Sequence, residues 1–293
     1  MQSCVVLPEE EGRRIREIIR GRMRVSYSAM KRAKWNGAIL LNGERTTVDV
    51  RVRAGDRLEL RLPEQKPVYA PEPYALALRI PYEDAALMVV DKPAPLASQS
   101  SRRHPHDSLE NAVFHTLGCP PDFIYRPVNR LDKGTSGLMV IAKDPHTQDL
   151  LQKALHSDQF IREYVALTEG VPSPAEGVIA LPIGKAEGAT IRREVRPDGQ
   201  MAVTRYRVLG EREGRGLVRL RLETGRTHQI RVHLAAIGCP VCGDFLYGRE
   251  WPERFPGRFA LHSTYLKLMH PLTGEWVEHS SQAPWEEAGF FRS

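Results

Sequence analysis

The chain is poor in cysteine, with four in 293 residues. Four thiols in a chain of this length do not make a disulfide framework. Long apolar runs are missing too, since none approaches the ~18 residues that a bilayer span needs. Glu9, Glu10 and Glu11 arrive before any apolar stretch forms, so no secretory leader is expected and the cytoplasm is. Cys239 and Cys242 form a Cys-x-x-Cys pair, with His233 nearby. No second close pair of Cys or His follows at finger spacing, so the pair reads as small core residues rather than a zinc site. No metal is expected. A Gly-x-Ser-x-Gly elbow is absent, which removes the scaffold that a hydrolase built on Ser136 would need. No internal repeat or low-complexity tract is found.

Hydrophobic residues make up 41% of the chain, enough for a sizeable core in one or two domains. The net charge of +6 suits a polyanionic partner but decides little by itself. Its distribution says more. Arg13, Arg14, Arg16, Arg20, Arg22, Arg24, Lys31, Arg32 and Lys34 lie within 22 residues, and within that stretch only Glu17 opposes them. Nine cations against one acid exceed what solubility requires, and a face laid along nucleic-acid phosphates accounts for them.

Residues 1–65 read as a small module. Ile15, Ile18, Ile19 and Met23 recur at helical spacing from Gly12 to Met23, with arginines opposite. Ser26 or Ser28 is placed to cap a second helix that runs to Trp35 and ends at Gly37. Ile39-Leu40-Leu41 is a short strand before an Asn42-Gly43 turn. Val48, Val50 and Val52 alternate with charges as a strand would, and Leu58, Leu60 and Leu62 do the same. Four prolines between Pro63 and Pro73 predict a semi-extended linker. The expected division is a module over 1–65, a linker over 66–78 and a larger domain over 79–293.

In the larger domain Leu87-Met88-Val89-Val90 is a buried strand. Asp107 and Glu110 look like a capping box for a helix carrying Leu109, Val113, Phe114 and Leu117, closed by Gly118. Another helix is expected over His146–Leu155. Strands are expected near 138–142, 164–168, 190–195, 202–209 and 217–223, with a last hairpin joining 259–269 to 276–278. Thr227 is placed to cap a helix bearing Ile230, Leu234 and Ile237. Many strands joined by turns, with few helices between them, predict an α+β fold with a mixed, largely antiparallel sheet.

Asn129-Arg130-Leu131-Asp132-Lys133-Gly134-Thr135-Ser136-Gly137-Leu138 is the most informative stretch. One carboxylate stands between two cations, ahead of small residues and the apolar run Leu138–Ala142. Asp132 alone is as much a turn-former as a catalyst. Arg130 precedes it by two residues, which on an extended backbone puts both side chains on one face.

The stretch resembles the Arg-Leu-Asp-x-x-Thr-Ser-Gly signature of the RluA-type pseudouridine synthases. Arg162–Gly170 is similar to the family's Tyr-bearing strand, and Thr224–His233 to its Gly-Arg-Thr-His-Gln-Ile-Arg block. Gly238–Gly248 and Leu261-His262-Ser263 resemble later family segments, in order. Asn129 stands where the family usually has His; Asn can donate a hydrogen bond but cannot become cationic. The two basic helices of residues 1–65 resemble an S4-type RNA-binding module.

The resemblance implies an RNA pseudouridine synthase, an isomerase that needs no cofactor. It implies Asp132 as the catalytic carboxylate, Arg226 as its counter-cation and Tyr164 as an aromatic residue stacked on the target base. Arg130 would occupy the gap left by a flipped nucleotide, and Arg231 would meet phosphate or buttress the site. Arg13, Arg16, Arg20, Lys31, Arg32 and Lys34 would carry RNA in the first module. The implied partner is structured RNA, ribosomal first and transfer RNA second, with no membrane and no metal, and the chain is expected to act as a monomer. A catalytically silent RNA-binding or ribosome-assembly protein of the same fold is the rival reading.

Overall fold

The computed structural model describes residues 2–23, 25, 27–36, 38–61, 67 and 69–287. The chain forms two compact units, Met1–Val68 and Tyr69–Ser293. No helix among the described residues is long and apolar enough to cross a membrane.

The first unit has two helices, α1 (Ile15–Arg20) and α2 (Tyr27–Asn36), and four antiparallel strands. The strands are β1 (Gln2–Val5), β2 (Ala38–Leu41), β3 (Glu44–Arg45) and β4 (Arg57–Arg61), in the order β1-β4-β2-β3. Ile15, Ile18 and Ile19 of α1 pack with Ala29, Met30 and Ala33 of α2 over Ile39, Leu58 and Leu60. Asn42 and Gly43 turn the β2–β3 hairpin, both with positive φ (53° and 86°), as an Asn-Gly turn requires. Helix α1 is shorter than the expected Gly12–Met23.

The alternation at Val48, Val50 and Val52 does not make a strand. Val48 and Val52 are buried while Val50 is 38% exposed. Their backbone serves α1 instead: the carbonyls of Val50 and Val48 accept from Ile15 N and Arg16 N at 2.9 Å each. The first N–H groups of a helix have no partner within it, and here a loop supplies them. Arg24, the Ser26 cap, the helix end at Gly37, Leu62 and linker residues 63–66 lie outside the described residues.

The boundary between the units falls earlier than the expected linker end. Residues 69–78 group with the second unit, where Tyr74, Leu76 and Leu78 pack on its core. The Tyr69 hydroxyl bonds Glu110, and Tyr74 N donates to Asn111 O at 3.2 Å. The apolar residues at 74, 76 and 78 decide this, because burying them outweighs the stiffness of the prolines.

The second unit is built on a nine-stranded sheet. Its members are β5 (Arg79–Glu83), β6 (Leu87–Lys92), β7 (Ser136–Ala142), β8 (Phe160–Glu169), β9 (Glu176–Ala180), β12 (Val203–Arg212), β13 (Arg215–Leu222), β14 (Leu261–Met269) and β15 (Trp276–Ser280). They run β5-β6-β7-β14-β8-β13-β12-β9, and β15 pairs with β14. Every pairing is antiparallel except β7 with β14, so the sheet is mixed and largely antiparallel as expected. A small hairpin joins β10 (Ile183–Lys185) and β11 (Arg193–Val195), shorter than the strand expected over 190–195.

Strands β6 and β7 are buried on both faces, which explains their unbroken apolar runs. Met88, Val90, Met139 and Ile141 face one core with Leu109 and Val113 of α3 (Leu109–Thr116). Leu87, Val89, Leu138 and Val140 face the other with Leu151 of α4 (Pro145–Ala154). Helix α3 is capped by Ser108 and Asn111 rather than Asp107 and Glu110. Glu110 is buried and takes the Ser100 N–H at 3.0 Å, so it cannot reach back to the helix start. Helix α5 (Gln229–Ala236) likewise does not use Thr227. His228 stands at its N-cap with φ 58°, and the Gln229 side chain accepts from Arg226 N at 2.9 Å.

Candidate active site

Asp132 lies on the loop entering β7, at the parallel junction with β14. That junction needs glycine. A Cβ on Gly137, whose φ is 109°, would stand 2.3 Å from Ser263 O, and one on Gly134 would stand 2.6 Å from the Phe259 ring. The small residues after Asp132 therefore let two backbones meet.

Several buried contacts fix the loop. The Ser98 hydroxyl donates to Leu131 O at 2.5 Å, and Asn129 Oδ1 accepts from Val140 N at 2.9 Å. Asn129 thus serves as an acceptor here, and its Nδ2 has no partner among the described residues. Lys92, fully buried, donates to Leu96 O at 2.8 Å and Pro93 O at 3.0 Å, with Lys133 O at 3.5 Å. Burial pulls its ammonium down to about 7, against the pull of the Asp132 carboxylate.

Asp132 Oδ2 meets Arg231 Nη1 at 2.8 Å, and His228 Nε2 lies 3.9 Å away. Arg231 is buried between the rings of Phe259 and Tyr247, 4.2 and 5.0 Å from their centroids. It also grips the fully buried Asp244 with two bonds of 2.6 and 2.8 Å. Burial works against its charge, but Asp244 and Asp132 outweigh it and push the guanidinium above its ordinary value. The counter-cation of Asp132 is therefore Arg231, not the expected Arg226. Arg226 is exposed and donates from Nε to Met201 O at 3.1 Å. Arg226, before the helix, spends its Nε on that carbonyl, whereas Arg231 lies on the first turn of α5 and reaches Asp132.

Asp132, Arg226 and His228 line a cleft of about 530 Å³. Arg130, Lys133, Arg162, Tyr164 and Arg226 share its wall with Asp132, which is the one carboxylate among the described lining residues. The cleft brings the expected Asp132, Tyr164, Arg226 and Arg130 together. Tyr164 and Arg162 share a face of β8. Arg162 is 6% exposed and its Nε has no partner among the described residues. Burial, then the charges of Arg162 and Arg226, push nearby His156 below its ordinary value.

The sequence did not point to Lys92, Asp244, Arg162 or His156. A lysine closing an apolar run reads as a strand end leaving the core, and Asp244 reads as a turn residue after glycine. Cys239 and Cys242 are buried free thiols, and burial pushes that of Cys242 up to about 12. His233 bonds Thr204 Oγ1 and Leu181 O rather than either cysteine.

Beneath the loop, Arg258 donates to Ser136 Oγ at 3.0 Å, and Ser136 lies 2.9 Å from His262 Nδ1. With Arg258 donating, the Ser136 hydroxyl is free to donate to Nδ1, which leaves Nε2–H for Ser281 O at 3.2 Å. Ser136 is only 3% exposed, so this Ser–His pair braces the loop rather than facing the cleft. Burial pushes His262 down to about 4. The unfolded chain takes up this proton near pH 6.5, and the folded chain only near pH 4. Stability from this group is thus complete above pH 6.5 and is lost as pH falls towards 4, on the order of 3 kcal/mol in all. His262→Gln should show a shallower fall in thermal midpoint between pH 7 and 4.5, followed by circular dichroism. An equal slope in both proteins would remove His262 as the cause.

In the basic module the fold supplies acids that the local sequence does not. Asp49 pairs with Arg16 at 2.9 Å and Arg14 at 3.4 Å, and Glu10 with Arg22 at 2.6 Å. Arg13, Arg20, Lys31 and Lys34 are exposed, and Arg32 is half-buried.

Residues 86–236 match the family model described as RNA pseudouridylate synthase. The chain is 37% identical over 268 residues to YjbO of Bacillus subtilis, named an uncharacterized RNA pseudouridine synthase, covering 90% of this chain and 93% of that one. It is 34% identical over 301 residues to ribosomal large subunit pseudouridine synthase D of Haemophilus influenzae, covering 96% and 91%. Among solved structures, human RNA pseudouridylate synthase domain containing 1 aligns with a TM-score of 0.58 at 25% identity, covering 75% of this chain and 87% of that one. With the signature loop at the mouth of the cleft and matches of this extent along the chain, the protein belongs to the RNA pseudouridylate synthase family of isomerases.

Proposed function

We propose that the protein converts particular uridines of structured RNA, ribosomal RNA first and transfer RNA second, to pseudouridine, with Asp132 as the catalytic carboxylate. The observation that carries this reading is Asp132, the one carboxylate among the described lining residues of a cationic cleft, gripped by a buried Arg231–Asp244 pair. The N1–C1′ bond breaks, the uracil turns, C5 bonds to C1′, and the proton lost from C5 is matched by one that N1 takes up. Atoms and electrons balance without redox chemistry or energy input. Asp132 either attacks the sugar carbon or removes a ribose proton, and both roles need an oxygen fixed under the ribose. Oδ2 is tied to Arg231, while Oδ1 takes no hydrogen bond from the described residues.

Tyr164, on the cleft wall, stacks on the base. Arg130, exposed at the rim, fills the gap in the RNA, and Arg226 and Lys133 meet phosphates. A stacked or paired uridine must leave its stack to reach this cleft, which costs least in a loop. The relative in Haemophilus influenzae, whose name specifies the large ribosomal subunit, favours ribosomal RNA. The first unit acts as an S4-like RNA-binding module. On this reading the protein works as a monomer in the cytoplasm and needs no cofactor or metal.

The test is a chemical map of pseudouridines in total RNA from cells with and without the gene. One or a few sites should vanish without it and return when purified protein is added to that RNA. An unchanged map would favour the catalytically silent RNA-binding protein instead.

A further inference from the structure

Helix α2 leaves two large aromatic side chains in solvent. Tyr27 is 61% exposed and Trp35 is 70% exposed. Tryptophan buries more apolar area than almost any side chain, so one left open on a short helix forgoes much stabilisation. The helix has already used its apolar side, because Ala29, Met30 and Ala33 fill the core. Tyr27, Lys31, Lys34 and Trp35 fall on a different face, about 100° wide at 3.6 residues per turn. The two rings stand about 12 Å apart along the axis.

Cations interleave with the rings. The Arg20 guanidinium sits over Tyr27, 5.7 Å from the ring centroid, and the Lys34 ammonium over Trp35 at 5.4 Å. Arg14, Arg16 and Arg22 are paired to Asp49 and Glu10. Arg20, Lys31 and Lys34 have no carboxylate partner among the described residues. The face thus alternates flat apolar rings with unneutralised positive charge. That pattern complements a chain of bases joined by phosphates and opposes an apolar protein partner, which would have to strip water from three cations. A duplex hides its base faces, so the rings suit an unpaired strand.

We propose that this face of α2 binds an unpaired stretch of RNA, with bases stacked on Tyr27 and Trp35 and phosphates held by Arg20, Lys31 and Lys34. The proposal deepens the RNA-binding reading of the first unit and rests on it. It does not depend on Asp132 or on isomerisation.

The test measures binding of the full chain to a short oligouridine and to a blunt-ended RNA duplex of the same length, over a series of salt concentrations. Trp35→Ala and Tyr27→Ala should each weaken oligouridine binding about five- to tenfold and leave the salt slope unchanged, because stacking releases no counterions. The same variants should leave duplex binding unaltered, and Trp35→Phe should retain most of the affinity. Lys31→Ala/Lys34→Ala should instead lower the slope by about 1.4, the share of two phosphate contacts on a single strand. Unchanged oligouridine affinity in Trp35→Ala, or an equal loss on the duplex, would overturn the stacking surface. Loss of isomerase activity alone would leave this proposal standing, just as a failed stacking test would leave the Asp132 chemistry standing.

Discussion

Asp132→Asn is expected to leave the protein folded and bound to RNA while isomerisation falls roughly 10⁴-fold or more, the scale on which single catalytic groups act. Asparagine keeps the size of the side chain and can still accept the Arg231 hydrogen bond through its amide oxygen. It cannot attack carbon or take a proton. Asp132 also contributes little to folding: its side chain is 28% exposed, and Arg231 keeps its two bonds to Asp244 without it. Affinity for a catalytically competent RNA should stay within a few-fold, since removing a negative charge from a cationic cleft does not weaken phosphate binding. Single-turnover assays on the mapped RNA, beside filter binding, separate the two effects. Retained turnover would mean that the carboxylate is misassigned. Lost turnover together with lost binding would mean that Asp132 shapes the cleft rather than reacting in it.

Arg231→Met should cost both stability and activity. Asp244 has no exposed side-chain surface, and its two bonds to Arg231 are charge-assisted. Removing the guanidinium strands that carboxylate in the core, at a cost of about 3–5 kcal/mol. Asp132 loses its 2.8 Å partner at the same time, and turnover should fall roughly 10²- to 10³-fold, the scale of losing one preorganised electrostatic contact. The double variant Arg231→Met/Asp244→Asn tells these effects apart. It removes the stranded charge, so the urea midpoint of the second unit, followed through Trp251 and Trp285, should largely recover. Turnover should not. Recovery of turnover with stability would reduce Arg231 to a packing element.

Legibility in the sequence followed the range of the interaction. Strands β6 and β7 were readable because burial on both faces writes an unbroken apolar run into adjacent residues. The Asn42-Gly43 turn was readable because positive φ at both positions admits few residue types. Val48–Val52 misled because alternation reports burial, not hydrogen bonding, and here the carbonyls close the start of α1. Thr227 misled in a similar way: a good capping residue stood one place too early, His228 took the N-cap position, and the Gln229 side chain closed the preceding turn on Arg226 N. Arg226 and Arg231 were both visible as cations in the site block, but which one meets Asp132 depends on how α5 is rotated against β7. No local pattern encodes that rotation.

By itself the sequence determined the family, the α+β class, the cluster of nine cations and the identity of the catalytic candidate, because each is carried by neighbouring residues. Tertiary structure alone decided that Arg231 and not Arg226 pairs with Asp132, that Asp244 anchors that pair, and that Lys92 lies buried under the loop. It also decided which arginines of the basic stretch are neutralised by Asp49 and Glu10 and which stay open beside Tyr27 and Trp35. Charge acts through space, and its partners come from wherever the chain happens to return.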